Sequence, residues 1–124
     1  IATSGWRGRS FSLGIADAVT VLARTAAMAD AAATMIANAV TLEHPGILRR
    51  PAKGLQADSD LGARLVTVAV PQLATLERRE ALEAGLAAAE AFRACGLIEG
   101  AALLLQGEMR VAGSVALELG GDRD

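Results

Sequence analysis

AVTVLARTAAMADAAAT, residues 18–34, is the stretch that decides the fold of this chain. The run Ala18–Leu22 is typical of a strand. The alanine-rich segment after it strongly favours a helix, and the Thr25 hydroxyl is placed to accept a free backbone N–H of the first turn. We therefore predict a strand over Ala18–Leu22 followed at once by a helix over about 26–38.

Two polar residues interrupt the alanines of this helix. Asp30 and Thr34 are four positions apart, so in a helix they share one face with about 5–6 Å between their Cβ atoms. A carboxylate and a hydroxyl are hard oxygen ligands of the kind that Mg²⁺ or Ca²⁺ prefers, and the small neighbours leave room for a bulky ligand. The spacing alone leaves a plainer interpretation open, in which Asp30 faces the helix dipole and Thr34 is a surface residue.

The rest of the chain continues the alternation of strands and helices. Thr75 is the expected N-cap of a long amphipathic helix that ends before Gly96. A loop is expected over 42–60, and a two-residue hairpin turn at Gly107-Glu108. Further strands are predicted at 1–4, 10–13, 65–70, 101–106 and 109–115. This order predicts an α+β fold in which a largely antiparallel sheet packs with two main helices.

Composition excludes several classes of protein. Hydrophobic residues make up 52% of the chain and aromatic residues only 2%, so the core must be built from Ala, Leu, Val and Ile. The formal charge of −2 is spread without a basic block, which argues against a nucleic-acid partner. No apolar run reaches the roughly 18 residues that span a bilayer. The single cysteine, Cys95, excludes an internal disulfide and fits a cytoplasmic protein.

Some residues have plain interpretations. His44 is a lone loop histidine with no Cys or His neighbour to complete a metal site, so we expect it on the surface. Cys95 extends the apolar stripe of its helix and is expected in the core. The pairs Arg49-Arg50 and Arg78-Arg79 are expected to be solvated surface residues.

The first 40 residues carry a longer pattern. They read ATSG at 2–5, SFSLGIADAVTVLA at 10–23 and ADAAATMIAN at 29–38. This order resembles the ApbE family, the FAD:protein FMN transferases, and is closest to its uncharacterised cytoplasmic ApbE-like branch. The resemblance implies that residues 1–124 are the C-terminal portion of a single ApbE-like domain, half of a larger two-part fold. The N-terminal half is then expected elsewhere in the same protein or in a second chain.

The resemblance also implies a cofactor site. In the transferases an aspartate and a threonine hold one Mg²⁺, which grips the pyrophosphate of FAD, and FMN passes to a threonine hydroxyl of a flavoprotein acceptor. Carried over, these metal ligands are Asp30 and Thr34. The family's ATSG segment lines the flavin end of FAD, which makes Thr3, Ser4 and Gly5 the expected cofactor contacts. A metal there neutralises charge that develops on pyrophosphate oxygens.

One part of the family pattern is missing. The loop HxxDPRTG, which closes over the flavin in the transferases, does not occur here, and residues 12–17 join the two strands directly. Asp17, just before an apolar strand, needs a partner, which could be a backbone turn, an arginine or a metal-bound water. It is the one candidate catalytic residue.

Three hypotheses follow from the sequence. The chain belongs to an ApbE-like enzyme that acts on FAD or a related dinucleotide, to a flavin- or nucleotide-binding protein without catalysis, or to a structural protein without a cofactor site. In each case we expect an unpaired strand edge or an apolar sheet surface that is buried by the N-terminal half or in a homo-oligomer.

Overall fold

The structure, a computed structural model, describes residues 1–6, 13–51 and 65–113. It is an α+β fold, as the sequence predicts. The elements in chain order are β1 (Ala2–Ser4), β2 (Ala18–Leu22), α1 (Ala26–Ala39), β3 (Leu48–Pro51), β4 (Leu65–Ala69), α2 (Thr75–Ala94), β5 (Gly100–Leu105) and β6 (Glu108–Gly113). None of the helices in the described ranges is long and apolar enough to cross a membrane.

Four of the strands form one antiparallel sheet in the order β1-β2-β5-β6. The strands β3 and β4 form a separate antiparallel pair, with an irregularity in register between Leu48 and Arg49. Because side chains alternate along a strand, the register assigns each residue of the larger sheet to one of two faces.

One face of the larger sheet is covered by the helices. Val19 and Val21 of β2 lie opposite Leu103 and Ala101 of β5, and all four are fully buried. The helix α1 packs on β1 and β2, α2 packs on β5 and β6, and the two helices contact each other. The core therefore lies between one layer of helices and one layer of strands.

Small residues let these layers approach closely, as the composition predicts. Gly85 of α2 lies against Val40 and Leu103, and a Cβ at this position would overlap Val40 Cγ2 and come within 2.8 Å of Leu103 Cδ2. Gly14 lies in the same way against Ala37, where a Cβ would overlap the main-chain oxygen. The helix α1 is thus fixed at its C-terminal end by two contacts that only glycine allows.

The helix ends agree with the sequence in one case and differ in the other. Thr25 is the N-cap of α1, and its hydroxyl accepts a hydrogen bond from Met28 N at 3.1 Å. The predicted N-cap Thr75 is wrong by one residue, because Ala74 is the N-cap of α2. Its N–H donates to Glu77 Oε1 at 2.8 Å, so the Glu77 side chain stabilises this end where Thr75 was expected to.

The hairpin turn also differs by one residue. It consists of Gln106 and Gly107, with φ angles of 45° and 87°, rather than Gly107 and Glu108. A two-residue hairpin turn with positive φ at both positions matches the twist of the strands, and glycine adopts this conformation without strain. Gln106 does not, so other contacts must hold it there.

Two further predictions concern the loops. The strand β3 lies within the segment 42–60, where only a loop was predicted, because LRRP has no alternating pattern and is defined by its pairing with β4. The predicted strand at 10–13 falls on residues outside the described ranges, except Leu13, which is not in a strand.

The second face of the larger sheet carries apolar side chains without a covering layer in the described part of the chain. Met109 and Val111 of β6 are 51% and 39% exposed, and the register places them on the face away from the helices. At the other side of the sheet, β1 pairs only with β2 among the described strands.

Candidate functional site

The predicted metal ligands lie together on the outer surface of α1. Asp30 and Thr34 are both exposed. The Thr34 hydroxyl donates to the main-chain oxygen of Asp30 at 3.1 Å, which leaves its lone pairs free, and no described residue hydrogen-bonds to the Asp30 carboxylate. A helix dipole acts most strongly in the first turn. Asp30 is the fifth residue of α1 and lies beyond that turn.

This pair lies on the flank of α1 that faces away from α2. The other flank contributes Met28 and Met35 to an apolar groove of about 160 Å³, which Phe92 and Leu97 close from the side of α2. Because successive residues of a helix are 100° apart, Asp30 and Thr34 point in roughly the opposite direction. In the order of the sheet, that direction is the side of β1.

The protein offers few ligands here. Within residues 1–6, 13–51 and 65–113, no three His, Cys, Asp or Glu side chains lie close enough to hold a metal ion. A carboxylate and a hydroxyl alone suit Mg²⁺, which keeps several waters and is commonly bound through one or two carboxylates and the phosphates of a substrate. The donors present therefore fit a cation that arrives with a phosphate ligand.

The predicted cofactor contacts in β1 do not form one surface. Thr3 Oγ1 lies 3.1 Å from Thr20 Oγ1, on the face away from the helices, whereas Ser4 lies opposite the buried Val19 on the helix side. Gly5 is buried, and a Cβ there would overlap the main-chain oxygen of Asp17. Ser4 is thus on the same side of the sheet as α1, and Thr3 is on the other.

Asp17 is bound to the hairpin turn. Its Oδ2 accepts a hydrogen bond from Gln106 N at 2.8 Å, and its own N–H donates to Leu104 O at 2.9 Å. Of the three partners considered for this carboxylate, the structure has the backbone turn. Asp17 therefore fixes the β5–β6 turn against the start of β2.

The side chain of Gln106 extends this arrangement to α2. Its Oε1 accepts from Leu73 N at 2.9 Å, and its Nε2 donates to Pro71 O at 2.7 Å. Arg78 Nη1 donates to Leu73 O at 2.7 Å, and Arg78 Nε lies 3.5 Å from Glu108 Oε1. We call Asp17, Gln106, Arg78 and Glu108 the hairpin clasp. It explains how Gln106 keeps a positive φ angle.

Three plain interpretations change. His44 is half-buried and tethers its loop, because Nδ1 accepts from Gly46 N at 2.9 Å and Nε2 lies 3.3 Å from Glu77 Oε2. Cys95, expected in the core, is exposed as the C-cap residue of α2. Arg78, expected in solvent, has a side chain only 17% exposed and belongs to the clasp.

A sequence model of the family described as AbpE bacteria matches residues 1–111. The chain belongs to this family. No curated protein and no solved structure matches it. The family description AbpE bacteria names no activity, substrate or cofactor, so the likeness to the FMN transferases rests on the motifs of the first 40 residues.

In this AbpE bacteria chain a fourth plain interpretation changes. Arg49, expected in solvent, is half-buried, and its Nη2 donates to Thr41 Oγ1 at 2.8 Å. Its neighbour across the β3–β4 pair is the buried Thr67. The sequence RR at 49–50 does not indicate that Arg49 is half-buried, because only strand pairing distinguishes the two arginines.

Proposed function

We propose that this protein binds FAD or a related dinucleotide through a Mg²⁺–pyrophosphate site on α1. One observation carries the proposal: Asp30 and Thr34 present uncommitted oxygens on one exposed flank of a helix that is otherwise nearly all apolar. Exposed polar pairs on helices are common, but here the pattern coincides with the metal motif of the FMN transferases.

Asp30, Thr34 and Ser4 would each make a different contact with the metal or its ligand. The Asp30 carboxylate supplies the charged ligand, and the Thr34 hydroxyl, already oriented by its bond to Asp30 O, supplies the neutral one. A bound Mg²⁺ would neutralise pyrophosphate charge. Ser4 is on the same side of the sheet, so it can contact the same ligand, whereas a contact with Thr3 requires the ligand to pass around the edge of β1.

Binding without transfer is the form of this function that the contacts favour. Asp17, the candidate catalytic residue, has one carboxylate oxygen engaged with Gln106 N and serves the hairpin turn. The second candidate function is FMN transfer to a threonine of a flavoprotein acceptor, which the resemblance suggests. The third, a structural protein without a cofactor, loses its main argument because Asp30 lies outside the first turn of α1.

We further propose that the site is completed by an N-terminal half of the fold, in the same protein or in a second chain, and that the assembly is a cytoplasmic homo-oligomer. The edge of β1 that pairs with no described strand and the exposed apolar side chains of β6 support a partner, because such surfaces are unfavourable in water. The flank that bears Asp30 faces the same edge.

Titration calorimetry with FAD and Mg²⁺ tests the metal site, with the N-terminal half present. Asp30→Ala should weaken binding at least about tenfold, as loss of a charged ligand commonly costs that much or more. Chelation of the metal should have the same effect. The matched control is Glu80→Ala, which removes an exposed carboxylate from α2. Unchanged affinity in Asp30→Ala would reject the site.

A transfer assay separates the two candidate functions. The protein, FAD, Mg²⁺ and a threonine-bearing flavoprotein are incubated, and covalent flavin fluorescence is read in a denaturing gel. We expect labelling to be about 10²–10⁴ slower than in a complete transferase, because the closing loop is missing. Robust labelling would instead establish the transferase and assign its chemistry to other groups.

A further inference from the structure

Arg49 differs from the two other half-buried arginines in the described part of the chain. Arg78 and Arg110 each lie near a glutamate, at 3.5 and 3.2 Å respectively. Arg49 has no acidic partner among the described residues. Its Nη2 donates only to neutral oxygens, Thr41 Oγ1 at 2.8 Å and Leu13 O at 3.4 Å.

An arginine held in this way has unused hydrogen-bond donors. The guanidinium carries five N–H donors in a rigid fork, and the contacts of Arg49 engage Nη2 alone within the described ranges. A partly buried positive charge without a counter-ion is unfavourable, and the planar fork matches carboxylate and phosphate oxygens in pairs. Arg49 therefore has unused donors, in a geometry that suits an oxyanion.

A second polar group with no partner lies beside Arg49. Thr67 of β4 is opposite Arg49 in the β3–β4 register, and side chains of opposite residues are neighbours on one face. The Thr67 side chain is buried, with 3% of the residue exposed, and its hydroxyl hydrogen-bonds to none of the described residues. Buried hydroxyls are rarely left unbonded, so this one has an unused donor.

We propose that Arg49 and Thr67 form a binding site for an oxyanion, a phosphate or a carboxylate group of a small molecule. Arg49 provides its Nε and Nη1 donors, which bond to no described residue, and Thr67 provides the hydroxyl of the residue opposite it in the β3–β4 pair. The bond from Arg49 to Thr41 holds the guanidinium in place. Because Thr41 is eleven positions after Asp30 and beyond the end of α1, this site is separate from the metal pair and does not rest on it.

Thermal unfolding of the protein, with the proposed N-terminal half present as in the calorimetry, tests the site. Sodium phosphate, pyrophosphate and acetate are each titrated against chloride at constant ionic strength and without Mg²⁺. We expect phosphate or acetate to raise the Tm in a saturable way, because a ligand of the native state stabilises it. A response to phosphates alone assigns a phosphate site, and an equal response to acetate assigns a carboxylate site.

Single substitutions test whether Arg49 binds the oxyanion. Arg49→Gln should weaken the apparent affinity at least about tenfold, and Arg49→Lys, which keeps the charge and loses the fork, should weaken it less. The matched control is Arg50→Gln, the exposed next residue of the same strand, which should respond like the unchanged protein. Asp30→Ala should also respond normally, which separates this result from the fate of the metal site.

Thr67→Val provides a test independent of charge. Valine keeps the shape of threonine, so the Tm in chloride should not fall, yet the response to the oxyanion should shrink. Thr67→Ser, which keeps a hydroxyl, should restore part of that response. No Tm response to any oxyanion in the unchanged protein would overturn the proposal. An equal response in Arg49→Gln or in Thr67→Val would overturn it as well.

Discussion

The hairpin clasp and the outer flank of α1 are both polar, but their polar groups are used differently. In the clasp, Gln106 engages both ends of its amide and its own N–H with the same chain. On the flank, the Asp30 carboxylate has no partner among the described residues. Since buried or half-buried polar groups are normally satisfied within the fold, the clasp is a structural device, whereas the flank is the surface on which we propose that a ligand binds.

Asp17 and Asp30 differ in the same way as the two regions that contain them. Both Asp17 and Asp30 were singled out from the sequence, one as a candidate catalyst and one as a metal ligand. The structure separates them, because Asp17 accepts a hydrogen bond from a strained turn at 2.8 Å and Asp30 does not accept one from a described residue. A catalytic carboxylate must change its contacts during the reaction. Asp17 is a poor candidate for that role, because its contact with Gln106 N holds the turn in place.

Gln106→Ala should have the largest effect on the stability of the clasp. It leaves Leu73 N and Pro71 O without their partners, which should lower the free energy of unfolding by about 2–3 kcal/mol. Urea unfolding measures this. The matched control is Gln72→Ala, an exposed glutamine in the adjoining loop, which should change stability by less than about 0.5 kcal/mol. Similar values for both variants would mean that the clasp stabilises nothing.

Asp17→Ala should have the next largest effect. It removes one charge-assisted hydrogen bond to a turn residue with a positive φ angle, and we expect a loss of about 1.5–2 kcal/mol in urea unfolding. Asp30→Ala is the comparison, and it should change stability by no more than about 0.5 kcal/mol. The contrast between the two regions breaks down if the two alanine variants are equally destabilised.

Thr34→Val should have the smallest effect on stability and a clear effect on binding. The hydroxyl bonds only to Asp30 O, which is already a helix carbonyl, so stability should change by about 0.5 kcal/mol or less. Affinity for FAD with Mg²⁺ should fall several-fold. Thr3→Val, on the opposite face of the sheet, is the control. If calorimetry shows the greater loss for Thr3→Val, the ligand contacts the other face.

The elements with strong local signals were predicted from the sequence. The strand Ala18–Leu22 and the N-cap Thr25 are confirmed to the residue, because a β-rich run and a side-chain cap act over four positions or fewer. The turn was misplaced by one residue for the opposite reason. Glycine was expected first, but Gln106 occupies that position because contacts with distant residues hold it there.

Errors at single residues have the same origin. Cys95 extends an apolar stripe in the sequence, yet α2 ends at Ala94 and leaves the cysteine in solvent. Arg49 and Arg50 are adjacent residues of the same type, but strand pairing leaves Arg49 half-buried and Arg50 exposed. The roles of Asp30, Thr34, Thr3, Ser4 and Gly5 toward FAD and Mg²⁺ stay predictions.

The sequence by itself determined where β2 and the two helices form, and it brought Asp30 and Thr34 onto one face, because a helical repeat joins residues four positions apart. Only the tertiary structure decided which polar groups are used. Asp17 and Gln106 are 89 positions apart, and Thr67 meets Arg49 through strand pairing. Contacts of that kind depend on how the whole chain packs, and no local pattern encodes them.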